Sequence, residues 1–314
     1  MLIHILTLNW NRRRQNALIA LEMGFAFLVL FMLVSVSLHF YRLFSEPLGF
    51  DTDNKWDVTF STGGSWREPK SDGSNTRKSN SENLRDLIAI LGQLPEIDGV
   101  YTVKVQPFAF KSSTSNIDNM SKKIFTEQNV VNDGFAEAIS LRLLEGRWFS
   151  SQDEKLDWVP VVVNKHFRDY FSGEEVVGKE FNNMRIVGVF EDFRQHGNFS
   201  SLRPMMLVRQ TQDYTSEPSI MLRVKPGVDI HFEEKLHRVL ISAMPTWSFD
   251  INTWEKMRKS INKPYIVALS IATAVVAFLL ILVGLGLLGV LWQNVIRRTV
   301  EVGLRRSMGA TVVV

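Results

Sequence analysis

Apolar residues along this chain gather in two long blocks and, between them, in short periodic groups. The first block, Ala17 to Leu38 (ALIALEMGFAFLVLFMLVSVSL), carries one charge, Glu22, and the second, Ile266 to Trp292, carries none. Each exceeds the roughly 20 residues that take a helix across about 30 Å of hydrocarbon, so each predicts a transmembrane helix, at 17–41 and 264–292. Arg12, Arg13 and Arg14 precede the first block as the basic start of a secretory signal would. Its apolar core is longer than the roughly 7–15 residues of a signal, and no small-residue cleavage pattern follows, so it is read as a retained anchor.

Between the blocks the period changes. KWDVTFST alternates as a strand, and Leu84, Leu87, Ile88, Leu91 and Leu94 repeat with helical spacing, with Ser81 as the expected cap. DGVYTVKVQPFAF returns to strand character. The order recurs near the far end, with a strand in SIMLRVKPG, a helical stripe at Phe232, Leu236, Val239, Leu240 and Ala243, and a strand in TWSFDINTW. Two strand–helix–strand units with an insertion between them predict a split βαβ sheet of the ferredoxin-like type, and so an α+β domain. In the insertion, NDGFAEAIS predicts a short helix and Gly146 a turn. WVPVVVNK reads as an apolar strand whose Asn164 caps the helix KHFRDYF, and MRIVGVFEDF reads as a buried strand. Gly63 to Asn83, dense in Ser, Asn, Gly and charge, is expected to be a mobile loop.

Charge fixes the expected orientation. Basic residues flank the blocks on their outer sides, Arg12 to Arg14 before the first and Arg297, Arg298, Arg305 and Arg306 after the second, which places both ends in the cytoplasm and residues 42–263 outside it. The net charge is +3, and the basic residues sit at the membrane flanks as much as anywhere, so nucleic-acid binding has no support. The chain has no cysteine, which excludes disulfides and thiolate metal sites.

Candidate chemistry in the external segment is sparse. GEEVVGKEF, Gly173 to Phe181, contains G-x-x-x-x-G-K, but Glu180 stands where a P-loop needs a Mg²⁺-holding Ser or Thr, and Glu174 and Glu175 occupy the phosphate cradle. The flanking order is helix then strand, the reverse of a P-loop, so the segment is read as a turn with Gly178 at positive φ. His166, His196, His231 and His237 are scattered, and Asp51 with Asp53, or Glu191 with Asp192, read as solvated charges. Glu22 is the intramembrane polar candidate: a carboxylate there is costly and faces protein or water, or reaches the cytoplasmic interface two turns away. The remaining candidate is RRTVEVGLRRSMGAT. As a helix it aligns Arg297, Glu301 and Arg305 on one face beside the apolar stripe Val300, Leu304 and Met308, with Gly309 placed to end it. Such a helix suits docking of a cytoplasmic partner beyond what a lipid-touching basic anchor requires.

These residues resemble a known family. RRTVEVGLRRSMGAT is similar to the R-x-x-E-[IV]-G-x-R-[RK]-[AS]-[ML]-G-A motif that follows the second transmembrane helix of MacB/FtsX-type ABC transporter permeases. LLEGRWFSSQDE, VPVVVNKHFRDYFSGEEVVGKEF and RIVGVFEDFRQ resemble successive segments of that family's periplasmic core domain, and NWNRRRQNALIALEMGFAFLVLF its first membrane span, in a Bacteroidetes-like branch. The resemblance implies a cytoplasmic amphipathic segment at 1–16, a periplasmic core at 42–263 and a cytoplasmic coupling segment at 293–314. Within the core it implies a Porter-like part (about 55–130 and 211–260) with a Sabre-like part inserted (131–210). It further implies a non-enzymatic subunit of the bacterial inner membrane, acting in export, efflux or envelope remodelling. A separate ABC ATPase would hold ATP and Mg²⁺, and this chain would bind no cofactor directly. The ATPase-coupling residues would be Arg297, Arg298, Glu301, Val302, Gly303, Leu304, Arg305, Arg306, Met308 and Gly309, passing motion to the periplasmic domain by mechanotransmission. A second permease chain, in a homo- or heterodimer, and a periplasmic adaptor or envelope protein are further implied partners. Family permeases have four transmembrane helices, whereas this sequence ends at GATVVV, so either a truncated or split permease, or a fragment of a longer chain, is expected. The competing class is a two-pass sensor with an external ligand-binding domain, which would need a cytoplasmic output.

Overall fold

A computed structural model of the chain describes residues 13–63, 66, 79–119, 122–171, 175–210, 214, 217–228 and 230–308. The chain divides into two compact units, residues 45–264 and the two apolar helical segments at either end.

The 45–264 unit is α+β. Its first half consists of β1 (Lys55–Ser61), α2 (Asn80–Leu91) and β2 (Ile97–Val103), then, after the insertion, β10 (Ser219–Val224), α5 (Ile230–Ala243) and β11 (Ser248–Thr253). These four strands lie in the order β11-β1-β10-β2, every neighbouring pair antiparallel. β1 and β2, joined through α2, are therefore separated by β10, and β10 and β11, joined through α5, by β1: the split βαβ arrangement expected from the periodicity. The alternation explains the layering. Trp56, Val58 and Phe60 of β1, Ile220, Leu222 and Val224 of β10 and Ile251 of β11 meet Leu84, Leu87 and Leu91 of α2 and Phe232, Leu236 and Leu240 of α5 in one buried cluster.

Inside α2 the cap differs from expectation. Ser79 caps the helix and shares a capping box with Glu82: Ser79 Oγ accepts from Glu82 N at 3.2 Å, and Ser79 N donates to Glu82 Oε2 at 2.9 Å. Ser81 is instead buried in the first turn. Most of the segment expected to be a mobile loop lies outside the described residues; its last residues, 79–83, form this cap and the start of α2.

The insertion supplies β3 (Thr114–Asn119), β4 (Lys122–Val131), α3 (Phe135–Ala138), β5 (Leu143–Gly146), β6 (Val159–Asn164), α4 (Lys165–Arg168), β7 (Glu180–Phe181), β8 (Met184–Phe190) and β9 (Met205–Arg209). The path β4-β9-β6-β8-β5 is mixed, with β4–β9 and β6–β8 parallel, while β3 and β7 pair with β4 and β8. The first half meets this sheet at a single residue pair, Val103 with Val131. β3 and β4 run with the inserted strands. VPVVV of β6 is continuously apolar because both of its faces are covered: Val161 and Val163 enter a cluster with Phe167, Phe171 and Ile186, while Val162 enters another with Phe190, Leu207 and Trp254. Asn164 caps α4, its side chain accepting from Phe167 N at 3.0 Å.

In the other unit, α1 (Arg13–Ser45) and most of α6 (Trp254–Ser307) are long helices. Met23–Ser45 and Trp254–Gly286 are long and apolar enough to cross a membrane, with mean hydropathies of 2.2 and 3.0. Their side chains are largely exposed: Phe25, Phe27, Phe31, Phe278, Ile281 and Leu285 each show 60% or more of their surface, as lipid-facing positions require. α6 is one uninterrupted helix that continues past the apolar stretch, and Pro264 lies inside it.

Candidate functional site

The coupling candidates lie on the last turns of α6. Arg297, Glu301 and Arg305 recur every fourth residue of this continuous helix, as do Val300 and Leu304, with Met308 just past its end. Gly303, Leu304 and Met308 are exposed. The helix runs to Ser307, and Gly309, the expected terminator, lies outside the described residues, as does the amphipathic segment before residue 13. Glu22 lies within α1.

The near-P-loop is a turn. Gly178 adopts φ +90°, and its N–H donates to Ile186 O at 2.7 Å. Val176 is fully buried in the sheet cluster, and the Lys179 ammonium lies 4.8 Å from the centre of the Phe171 ring. Residues 172–174 lie outside the described residues; the helical turn before them ends at Phe171, and the segment from 175 leads into β7 rather than into a helix.

Of the four histidines His166, His196, His231 and His237, His196 acquires a defined role. Its Nε2 lies 3.3 Å from Glu127 Oε2 and its Nδ1 3.2 Å from Ala109 O, while Arg203 Nη1 approaches Glu127 Oε1 at 3.3 Å. Burial alone would raise the Glu127 carboxyl, but His196 and Arg203 outweigh it and hold the group below its ordinary value. Glu127 in turn raises His196. Other ion pairs join separate segments of the unit: Arg147 to Asp153 in the turn after β5, Arg209 of β9 to Asp133, and Arg194 to Glu46. Among the described residues no three His, Asp or Glu side chains converge as metal ligands.

One feature of the sheet's open face escaped the sequence reading. β1 and β11 pair Asp57 with Asn252 and Thr59 with Asp250, and directly opposed residues share a face. These four polar side chains therefore lie opposite the α2–α5 layer. They line an open cavity of about 550 Å³ that is bordered by Gln106, by Phe108 to Lys111 and by Lys256, Met257 and Ser260 of α6. In KWDVTFST, Asp57 reads as an ordinary solvent-facing position of an alternating strand. Its burial comes from residues about 50 and 200 positions away, which no local pattern announces.

Comparison with known proteins places the chain. Residues 17–237 match the family described as the MacB-like periplasmic core domain. The uncharacterized ABC transporter permease YknZ of Bacillus subtilis (strain 168) is 23% identical over 58% of this chain and 49% of its own length. The macrolide export ATP-binding/permease protein MacB 2 of Aeromonas hydrophila is 25% identical over 73% of this chain and 36% of its own. The chain thus spans between about a third and a half of the length of these relatives. The crystal structure of the periplasmic region of MacB from Actinobacillus actinomycetemcomitans superposes over 70% of this chain and 98% of that one, with 16% identity and a TM-score of 0.46. With a matched segment that includes the first apolar helix and most of the split sheet with its insertion, the chain belongs to the MacB-like periplasmic core domain family.

Proposed function

We propose that this chain is a permease subunit of a MacB/FtsX-type ABC transporter, held in the bacterial inner membrane with both ends in the cytoplasm and the 45–264 unit in the periplasm. A separate ABC ATPase docks on the turns from Arg297 to Gly309. There Glu301 and its flanking arginines set the charge register, and Val302, Gly303 and Leu304 allow close approach. ATP and Mg²⁺ belong to that partner, and its cycle drives export or envelope remodelling through this chain, paired with a second permease chain.

The observation that carries the reading is the single helix Trp254–Ser307. It begins directly after the last strand of the α+β unit, includes an apolar stretch long enough to span a bilayer, and continues into the Arg/Glu ladder without a break. A helix is stiff along its axis because each residue is hydrogen-bonded to the next turn, so displacement at one end is delivered at the other. The family membership and the names of the permease relatives support the same reading.

The test is co-purification with ABC ATPases from the source organism, each co-expressed with this chain. Glu301→Arg and Gly303→Trp are expected to abolish capture of the ATPase while membrane insertion of the chain is unchanged. Capture that persists at parental level in both variants removes the coupling role from this helix.

A further inference from the structure

The cavity on the open face of the β11-β1-β10-β2 sheet has a floor and a rim of opposite character. At the floor Asp57 is 1% exposed, and its Oδ1 is buried with no hydrogen-bond partner among the described residues. Gln106, also buried, is fixed there by Ser219, whose Oγ donates to its Oε1 at 2.9 Å. At the rim Lys111 and Lys256 are exposed, with Asp250 across from them, hydrogen-bonded to Asn252 Nδ2 at 2.6 Å. Phe110, 79% exposed, and Met257 add apolar surface.

The wall is built rather than loose. Phe108, buried at a φ of +65°, donates its N–H to Gln195 O at 2.7 Å, and Gln195 Nε2 donates to Val105 O at 3.2 Å. Phe108 also packs edge-on against Trp254 at 6.1 Å.

A buried carboxylate oxygen left without a donor is destabilising, and what relieves it most is a charged donor brought within hydrogen-bond distance. Lys111 and Lys256, on the rim, form no ion pair with a described carboxylate, so they offer charge to an anionic group arriving from solvent. We propose that this cavity binds a small zwitterion of amino-acid to dipeptide size. Its primary ammonium group is received by Asp57 and Asn252, its anionic end by Lys111 and Lys256, and its side chain by Phe110 and Met257. The cavity volume accommodates such a molecule together with water. Burial displaces Asp57 towards its neutral form, opposed by the field of Lys111, and an ammonium group beside it would favour the carboxylate. The site lies wholly within the 45–264 unit, and its occupancy is independent of whether an ATPase docks on α6.

The experiment is calorimetric titration of the full chain in lipid nanodiscs with the free amino acids and their glycyl dipeptides as probes. At least one probe is expected to bind saturably. N-acetylation of that probe, which removes its ammonium charge, is expected to weaken binding about tenfold or more, the scale of one charge-assisted hydrogen bond. Asp57→Asn is expected to weaken it as much while melting no lower than the parent, since it removes a buried carboxylate rather than a packed contact. Lys111→Met together with Lys256→Met should weaken binding of the free carboxylate form but not of its amide. Absence of saturable binding by every probe overturns the proposal, as does binding indifferent to N-acetylation. The acetylated probes act on the unaltered chain and so decide the matter even where a variant folds poorly. ATPase capture by the same preparation reports separately on the coupling role.

Discussion

Glu127 and His196 form a pair whose two titrations oppose each other. Glu127 is held below its ordinary value of 4.5, so its contribution to folding is complete above that value and is lost as pH falls through the depressed one. His196 is raised above 6.5, so its contribution is complete below 6.5 and is lost as pH rises through the raised value. Both are in full force only between pH 4.5 and 6.5. His196→Gln is therefore expected to lower stability at pH 6 by about 1 kcal/mol, the difference between a charge-assisted hydrogen bond and the ordinary one that Gln can still donate, and to reduce the loss the parent shows between pH 6 and 8. Urea unfolding followed by tryptophan fluorescence at both pH values checks this. A variant with the same pH slope as the parent would refute the pairing. From the sequence His196 looked like one scattered histidine among four, because its partner lies 69 positions away and neither residue belongs to a periodic motif. Asp57 was hidden for the same reason.

Among the elements, strands and helices with a strong period were legible and their ends less so. The stripes of α2 and α5 and the alternation of β1 and β10 report one-sided burial, which is a local property of the sequence. The cap of α2 was misplaced by two residues, although Ser79-Asn80-Ser81-Glu82 carries the S-x-x-E signature, because Ser81 also stands just before the stripe. Gly146 and Gly178 were both expected in turns, and both adopt positive φ, +72° and +90°. Their surroundings separate them. A Cβ on Gly146 would lie 2.3 Å from Val187 O, at the point where β5 pairs with β8, whereas one on Gly178 meets nothing within 4 Å. Gly178→Ala is expected to cost about 1–2 kcal/mol, the price of the left-handed backbone alone, and Gly146→Ala clearly more. Equal losses in denaturant unfolding would show that the β5–β8 contact yields freely.

For the whole molecule, the two apolar blocks, the split sheet and the presence of an insertion could be read in advance. The two sheet halves join through the one pair Val103–Val131, and a single rung leaves no pattern in the chain. The proposed orientation has a direct check, because the chain contains no cysteine and any introduced thiol is unique. In intact spheroplasts a membrane-impermeant maleimide is expected to label Ser112→Cys, on an exposed stretch of the α+β unit, and to spare Ser307→Cys at the end of α6 until the membrane is opened. The reverse labelling pattern would invert the topology and remove the cytoplasmic docking site.

The register of β1 against β11 also has a mechanical reading. Trp56 stands opposite Thr253, so the chain enters the sheet and leaves it at the same end of two neighbouring strands, and α6 starts at the next residue. Loads reaching that corner together move the strands as one piece and leave the six-pair ladder from Trp56–Thr253 to Ser61–Ser248 unstressed. Loads that differ between the two strands open the ladder one rung at a time, beginning at Trp56. The sheet thus transmits common motion of its two tethers and yields to their separation, in the manner of a zip pulled from its open end.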